Sequence, residues 1–361
     1  MAFFVEPVLA AHDRSVVELF CYATCVREGD TTSRMKALSD HWRDCARLTD
    51  RAIAEAVRRD EIDILIDLNG HFLGNRLPVF AARAAPVQVT WIGYPNTTGL
   101  TAMDFRIVDE ITDPPGSEEF HSERLVRLAP GFLCYRPPAE APPPRYRGEH
   151  APFIFASFNW VMKYSDSCIA IWSSILRRVP NARLRLKDDE LSRPETREKI
   201  LNLFGLHDID PGRVELLPRM STRLEHLDAY NDVDVALDPF PYNGTTTTSE
   251  ALWMGTPVLT LRGKSHVARV GASLLTRVGL PELIAETHED YIERAVQLAQ
   301  PGSAATLRRW RETIRPAMAE SPLCRADKFV PALEAAFVEM ANIRRAEMLA
   351  PGSAAAKISA R

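Results

Sequence analysis

VDVALDPFPYNGTTTTSEALWMGTPVLTL, residues 233–261, decides the fold. Val233–Leu237 is an apolar run that reads as a buried strand. Ser249–Met254 reads as a helix stopped by Gly255, and Pro257–Leu261 as the next strand. Strand, loop, helix and strand in succession predict a parallel sheet covered by helices. The loop carries the chemistry. Asn243-Gly244 predicts a turn in which the chain takes a positive φ. Thr245, Thr246 and Thr247 then stand at a helix N-terminus. First-turn amides there lack intrahelical acceptors and the helix dipole is positive, so the segment predicts an anion site that fits a diphosphate. Glu250 lies one turn on, where its carboxylate can bridge ribose hydroxyls. A plainer reading competes, because Thr247 and Glu250 match a capping box. A capping box requires neither four consecutive threonines nor the Pro-Tyr-Asn-Gly lead-in.

The same alternation extends in both directions. Upstream of residue 136, Val16–Ala23, Ile62–Ile66, Val87–Ile92 and Phe105–Val108 read as strands, and Asp50–Arg59 has helical spacing. Six prolines between Pro137 and Pro152 then exclude helix and central strand. Beyond them Phe153–Ala156, Arg183–Leu186 and Val214–Leu217 read as strands. Asp166–Val179, Glu195–Gly205, Arg223–Tyr230, Val267–Val278, Tyr291–Leu298 and Lys328–Met340 read as helices. The fold class is therefore α/β, with two Rossmann-like domains. Their predicted extents are 1–136, a proline-rich linker over 137–152, 153–345 with terminal helices, and a disordered tail over 346–361. No internal repeat is visible. Ligands of open α/β sheets bind beyond the carboxyl ends of the strands, so two such domains predict a cleft flanked by those ends.

Composition narrows the function. With 44 Lys and Arg against 48 Asp and Glu, the formal net charge is -4, and no basic excess exists for a nucleic-acid backbone. No stretch approaches the roughly 20 apolar residues of a membrane span. The apolar start, Met1-Ala2-Phe3-Phe4-Val5-Glu6, lacks a basic lead and reads as the middle of a buried element rather than a signal peptide. The six cysteines show no CxxC spacing and read as reduced thiols, which implies a cytoplasmic protein. No glycine-rich dinucleotide fingerprint is present, which argues against a dehydrogenase. Asp232-Val-Asp234 has the DxD form of metal-dependent transferases, yet it leads into a buried strand, and no metal site is expected.

Three further segments place chemistry beyond strand ends. Phe155–Lys163 (FASFNWVMK) runs out of a strand and delivers Lys163, a compact cation suited to phosphate; a solvated loop lysine is the plain alternative. Ile62–His71 (IDILIDLNGH), with Arg76 five residues on, brings Asp67, Asn69 and His71 to a strand end. A carboxylate and an imidazole there can orient an acceptor or relay a proton. Alternatively, Asp67 and Asn69 bond the backbone of a turn. In Leu217–His226, Ser221 or Thr222 caps a helix carrying Arg223 and His226, which meet a nucleotide by charge and by stacking or else form a solvated face.

Taken together, DLNGHFLGNR, APVQVTWIGYPNTTG, MDFRIVD, FNWVMK, RVPNARL and PYNGTTTTSEALWMGTPVLTL, in this order from about residue 15 to 340, resemble the catalytic region of the O-linked N-acetylglucosamine transferase family, SPINDLY-type members included. The resemblance implies a GT-B fold and inverting, metal-independent chemistry without a cofactor. It implies UDP-N-acetylglucosamine as donor and a Ser or Thr hydroxyl of protein as acceptor. Lys163 would contact the diphosphate and stabilise the leaving group, as neutralisation without a metal requires. Thr245, Thr246 and Thr247 would line the phosphates and Glu250 the ribose. Ser221, Arg223 and His226 would surround the uridine, and Asp67, Asn69, His71 and Arg76 would lie near sugar and acceptor. Trp160, on the donor side, and Met162 stand where animal members carry Gln and Tyr. In relatives a histidine-containing segment precedes the stretch matched by Ala2-Phe3-Phe4. That histidine and the helical repeats that capture acceptors are expected to lie outside a chain cut short at its start. Two alternatives follow: a nucleotide-sugar-binding remnant without turnover, and the same chemistry with a glucose or fucose donor.

Overall fold

The computed structural model describes residues 1–25, 29–148 and 152–349. The chain divides into two compact units, Met1–Arg136 together with the chain from Arg325 onward, and Pro137–Cys324.

The first unit opens with α1 (Ala2–Ala11), β1 (Phe20–Ala23), α2 (Asp30–Leu38), β2 (His41–Asp44) and α3 (Asp50–Arg59). It continues with β3 (Ile64–Asp67), α4 (Leu77–Ala81), β4 (Val87–Thr90), β5 (Phe105–Val108) and β6 (Arg124–Arg127). Strands β3 to β6 form a parallel sheet in sequence order, and β1 pairs separately with β2. The apolar start is a helix rather than a strand. It buries residues on every side, so its sequence shows no helical stripe. Pro7 lies inside it and has no amide for the Phe3 carbonyl. The Arg136 amide donates to that carbonyl instead, at 2.7 Å. The strand expected from Val16 begins only at Phe20, because Asp13 closes a turn on Ser15 and Val16. Helix α3 forms as predicted, capped by the Thr49 hydroxyl and buried through Ile53, Ala54 and Val57.

The second unit comprises β7 (Phe153–Ser157), α5 (Asp166–Arg178), β8 (Ala182–Lys187), α6 (Pro194–Gly205), β9 (Val214–Leu217) and α7 (Arg223–Asp228). After them come β10 (Val235–Leu237), α8 (Thr246–Trp253), β11 (Val258–Leu261), α9 (Val270–Val278), β12 (Ile284–Ala285), α10 (His288–Leu298) and α11 (Ala304–Glu320). Its parallel sheet has the order β9-β8-β7-β10-β11-β12. Numbered from β7, that is the doubly wound order 3-2-1-4-5-6. The chain therefore leaves β7 and β10, which are neighbours, toward opposite sides. Their carboxyl ends bound the crevice where such sheets take ligands.

Two domain expectations change. The last helix, α12 (Ala326–Leu349), belongs to the first unit and not to the second. Its Phe329, Val330, Leu333, Phe337 and Met340 pack on Val87, Val89, Trp91, Phe105 and Ile107 of that sheet. Burial of this face, which sequence order hides, decides its membership. The proline-rich stretch is not a free linker either. Arg145 donates its amide to Asn231 and pairs with Asp228, and Arg315 holds the Pro142 carbonyl, all within the second unit. Residues 346–349 continue α12, and the rest of the expected tail, like 149–151 of the linker, lies outside the described residues.

Candidate active site

Lys163 ends a 3-10 turn, Val161–Lys163, immediately beyond β7. Its Nζ donates to the Asn243 carbonyl at 2.8 Å and lies 4.1 Å from the centroid of the Tyr242 ring. Burial pulls this ammonium down from its ordinary 10.5 to about 8, opposed by the Asp238 carboxylate. Asp238 is buried where β10 ends. It accepts from the Gly244 amide at 2.6 Å and from the Thr260 hydroxyl at 2.7 Å. Burial raises its carboxyl to about 7, against those hydrogen bonds and Lys163. The strand end thus carries a carboxylate that folds the threonine loop and a lysine tied to the same loop.

That loop differs from expectation in two respects. Helix α8 begins at Thr246, with Thr245 as N-cap, three residues before the predicted start. All three threonines stand in or beside its first turn. Moreover, neither Asn243 nor Gly244 takes a positive φ. Gly244 is required by space, since a Cβ there would sit 2.5 Å from Thr247 Oγ1, 2.7 Å from Thr248 Oγ1 and 3.0 Å from Asn159 Oδ1.

The capping-box reading of Thr247 and Glu250 does not hold. The cap of α8 makes no side-chain hydrogen bond. The Thr247 hydroxyl donates to Asn159 Oδ1 at 2.8 Å, joining α8 to the loop after β7. Glu250, 6% exposed, turns to His226 Nε2 at 2.9 Å and Arg223 at 3.7 Å on α7. Helix α7 carries a capping box of its own, Thr222 with Glu225, so Thr222 is its cap and Ser221 is an exposed turn residue. The His226 ring lies 6.3 Å from that of Phe158 and 5.7 Å from Tyr230. Trp160, just before the Val161–Lys163 turn, is 52% exposed. The structure therefore brings Lys163, Trp160, Arg223, His226, Thr245, Thr246, Thr247 and Glu250 to one end of one sheet.

Sequence reasoning missed Asn159, Asp238 and Lys187 there. Asp238 follows an apolar strand and Asn159 sits inside the segment quoted for Lys163, so position after a strand was the available signal. Asp234, in contrast, serves the fold: it accepts from the Ile154 amide and pairs with Arg147. Among the described residues no group of three or more His, Cys, Asp or Glu is placed to hold a metal ion.

In the first unit Asp67 is buried, and its oxygens accept from the amides of Asn69 and Gly70 and the hydroxyl of Thr90. This is the turn alternative. A Cβ on Gly70, where φ is 55°, would overlap Tyr94, so the turn needs glycine for both conformation and space. His71 holds the Thr98 carbonyl at 2.9 Å and meets Tyr94 edge-on. The Asn69 amide group faces the Phe72 carbonyl at 3.4 Å, and Arg76 pairs with Asp50 at 2.9 Å. His71 and Asn69 share one loop cluster, whereas Arg76 is directed into an ion pair with α3.

Comparison with known proteins gives the following. The model of glycosyl transferase family 41 matches residues 2–135 and 144–333. A protein of Oryza sativa subsp. japonica named "Probable UDP-N-acetylglucosamine--peptide N-acetylglucosaminyltransferase SPINDLY" is 40% identical over 346 residues, covering 94% of this chain and 37% of its own. The protein of the same name from Arabidopsis thaliana is 39% identical, covering 97% of this chain and 40% of its own. The solved structure of a Thermobaculum terrenum O-GlcNAc transferase variant superposes with a TM-score of 0.89 at 41% identity, covering 95% of this chain and 65% of that one. The chain thus spans about two-fifths of the curated relatives. Among the described residues no helix is long and apolar enough to cross a membrane.

Proposed function

The chain belongs to glycosyltransferase family 41, its two Rossmann-like units are those of the GT-B fold, and from this premise we propose that it transfers N-acetylglucosamine from UDP-N-acetylglucosamine to Ser or Thr hydroxyls of a protein or peptide. The placement of Lys163 carries the reading. Its ammonium is fixed beside the N-terminus of α8, at the switch point of a doubly wound sheet. In the proposed reaction the acceptor hydroxyl oxygen attacks the anomeric carbon, inverting it, the bond to the β-phosphate oxygen breaks, and the hydroxyl proton passes to the departing diphosphate or to water. Negative charge grows on the departing diphosphate. Lys163 and the first-turn amides of α8 meet that charge in a pre-formed array, which is where electrostatic stabilisation is most effective. No metal ion is assigned a role. Arg223, His226 and Glu250 would hold the nucleoside end.

Transfer of labelled N-acetylglucosamine to a Ser/Thr peptide tests the proposal. Lys163→Ala should lower the rate by about 10²–10³-fold, the scale of one lost oxyanion contact, with an unchanged circular dichroism spectrum. Near-wild-type transfer by that variant would overturn the assignment. We also propose a cytoplasmic location, which the lack of CxxC spacing among the six cysteines supports.

One observation favours a second reading, donor binding without turnover. The oxygens of Asp67 are occupied by their turn, so the carboxylate expected to orient the acceptor is engaged elsewhere. Calorimetric binding of UDP with no transfer to any peptide would select this reading.

A further inference from the structure

Lys187 is the last residue of β8 and is 7% exposed. Among the described residues its ammonium has no hydrogen-bond or ion-pair partner; it lies 5.0 Å from the centroid of the Phe158 ring. The stem is buried while the ammonium still reaches solvent, so a ligand group at this end of the sheet can reach it as well. Glu250 and Asp188 attract it from a distance and Arg219 repels it, while burial pulls it down to about 8. Strand order gives the scale. Strand β8 flanks β7 on the side opposite β10, so Lys187 lies two strand spacings from the threonine loop, about 10 Å. A ribose fits between a diphosphate at the loop and a base at Lys187. The wall at that end is aromatic, made by Phe158, His226 and Tyr230.

We propose that Lys187 reads the nucleobase of the donor, donating to a ring keto oxygen and so selecting uracil or guanine over cytosine and adenine. This rests on the nucleotide-sugar reading of the same site. An ammonium only donates, so it complements a carbonyl and opposes an amino group at the same ring position. Uracil and cytosine differ there by a keto against an amino group, on the same ribose and diphosphate. The residue acts on donor choice and not on bond cleavage.

Calorimetric titration of the full chain with UDP, CDP, GDP and ADP is the test, on wild type and Lys187→Met, whose side chain keeps the apolar stem. Wild type should bind UDP at least tenfold more tightly than CDP. In K187M this ratio should fall toward one, with UDP weakened and CDP nearly unchanged. An equal loss for all four nucleotides would place Lys187 on ribose or phosphate and overturn the proposal, as would unchanged affinities. Should K187M fail to fold, Lys187→Arg serves, because it keeps the donor and should retain the UDP preference. If wild type binds none of the four, the donor reading itself fails; binding with an unaltered ratio defeats this inference alone.

Discussion

Glu250 Oε2 lies 2.9 Å from His226 Nε2, joining the second turn of α8 to α7 across 24 residues of chain. The contact sets the spacing between the threonine loop and the aromatic wall. Glu250 does not cap its own helix, so its removal leaves the α8 terminus intact. Glu250→Gln should therefore change the melting temperature little and weaken UDP binding by about 1–2 kcal/mol, the range of a charge-assisted hydrogen bond. Calorimetry and a thermal melt together check this. A large drop in melting temperature with unchanged affinity would show a purely structural carboxylate.

Period and punctuation made much of the second sheet legible. Strands β7, β10 and β11 are largely apolar runs because both faces are covered, β8 alternates apolar with basic residues, and α5 shows a clear stripe ending in Trp172, Ile175 and Leu176. The threonine loop and Lys163 were legible because special residues follow strands there. Three things were not. Helix α1 is apolar all round and has no period to read. The membership of α12 is set by packing against strands more than 200 residues earlier. The partners of Thr247 and Glu250 are tertiary: local spacing offered a capping box, and contacts with Asn159 and His226 displaced it. Lys187 was missed because a strand-end lysine looks like any solvated one until its burial is known.

Lys163 gives a pH prediction. Its pKa of about 8 in the free protein must rise when a diphosphate binds, since anions favour the charged form. Affinity for UDP should then be flat below about pH 8 and fall as pH rises through the window between the free and bound values. Stability moves the other way. The unfolded chain, with lysine at its ordinary 10.5, binds more protons between 8 and 10.5, so this group makes the free fold relatively more stable as pH rises there. Lys163→Arg should flatten the affinity profile, leaving a residual slope from Lys187. Titration of UDP from pH 7 to 9.5 measures both, and an identical slope in the arginine variant would remove Lys163 from the phosphate site.

Asp67 separates a structural from a chemical role in the first unit. Removing its carboxylate strands the amide of Gly70, which is buried, and the Thr90 hydroxyl. Asp67→Ala should cost about 2–3 kcal/mol of stability, the scale of buried groups left unpaired. Asp67→Asn, which keeps an acceptor, should cost less. Transfer per folded molecule should stay within a fewfold of wild type in both. Normal stability with transfer lost in Asp67→Asn would restore the carboxylate to the chemistry.

Gly244 tests whether the loop proposed to hold the diphosphate depends on close approach or on backbone freedom. Its φ is not positive, so alanine meets no conformational penalty there. The added Cβ would instead strike Thr247 Oγ1 and Thr248 Oγ1, and with them the hydrogen bond from Thr247 to Asn159. Gly279 is the opposite case: φ is 84° at the end of α9, and nothing lies within 4 Å of a Cβ. Gly279→Ala should cost about 1 kcal/mol of stability through strain and leave UDP binding untouched. Gly244→Ala should cost about 1–3 kcal/mol through overpacking and weaken UDP binding at least tenfold, because the loop that moves is the one that would hold the diphosphate. Equal affinities in the two variants would mean that the packing of Gly244 against Thr247 and Asn159 belongs to the fold alone.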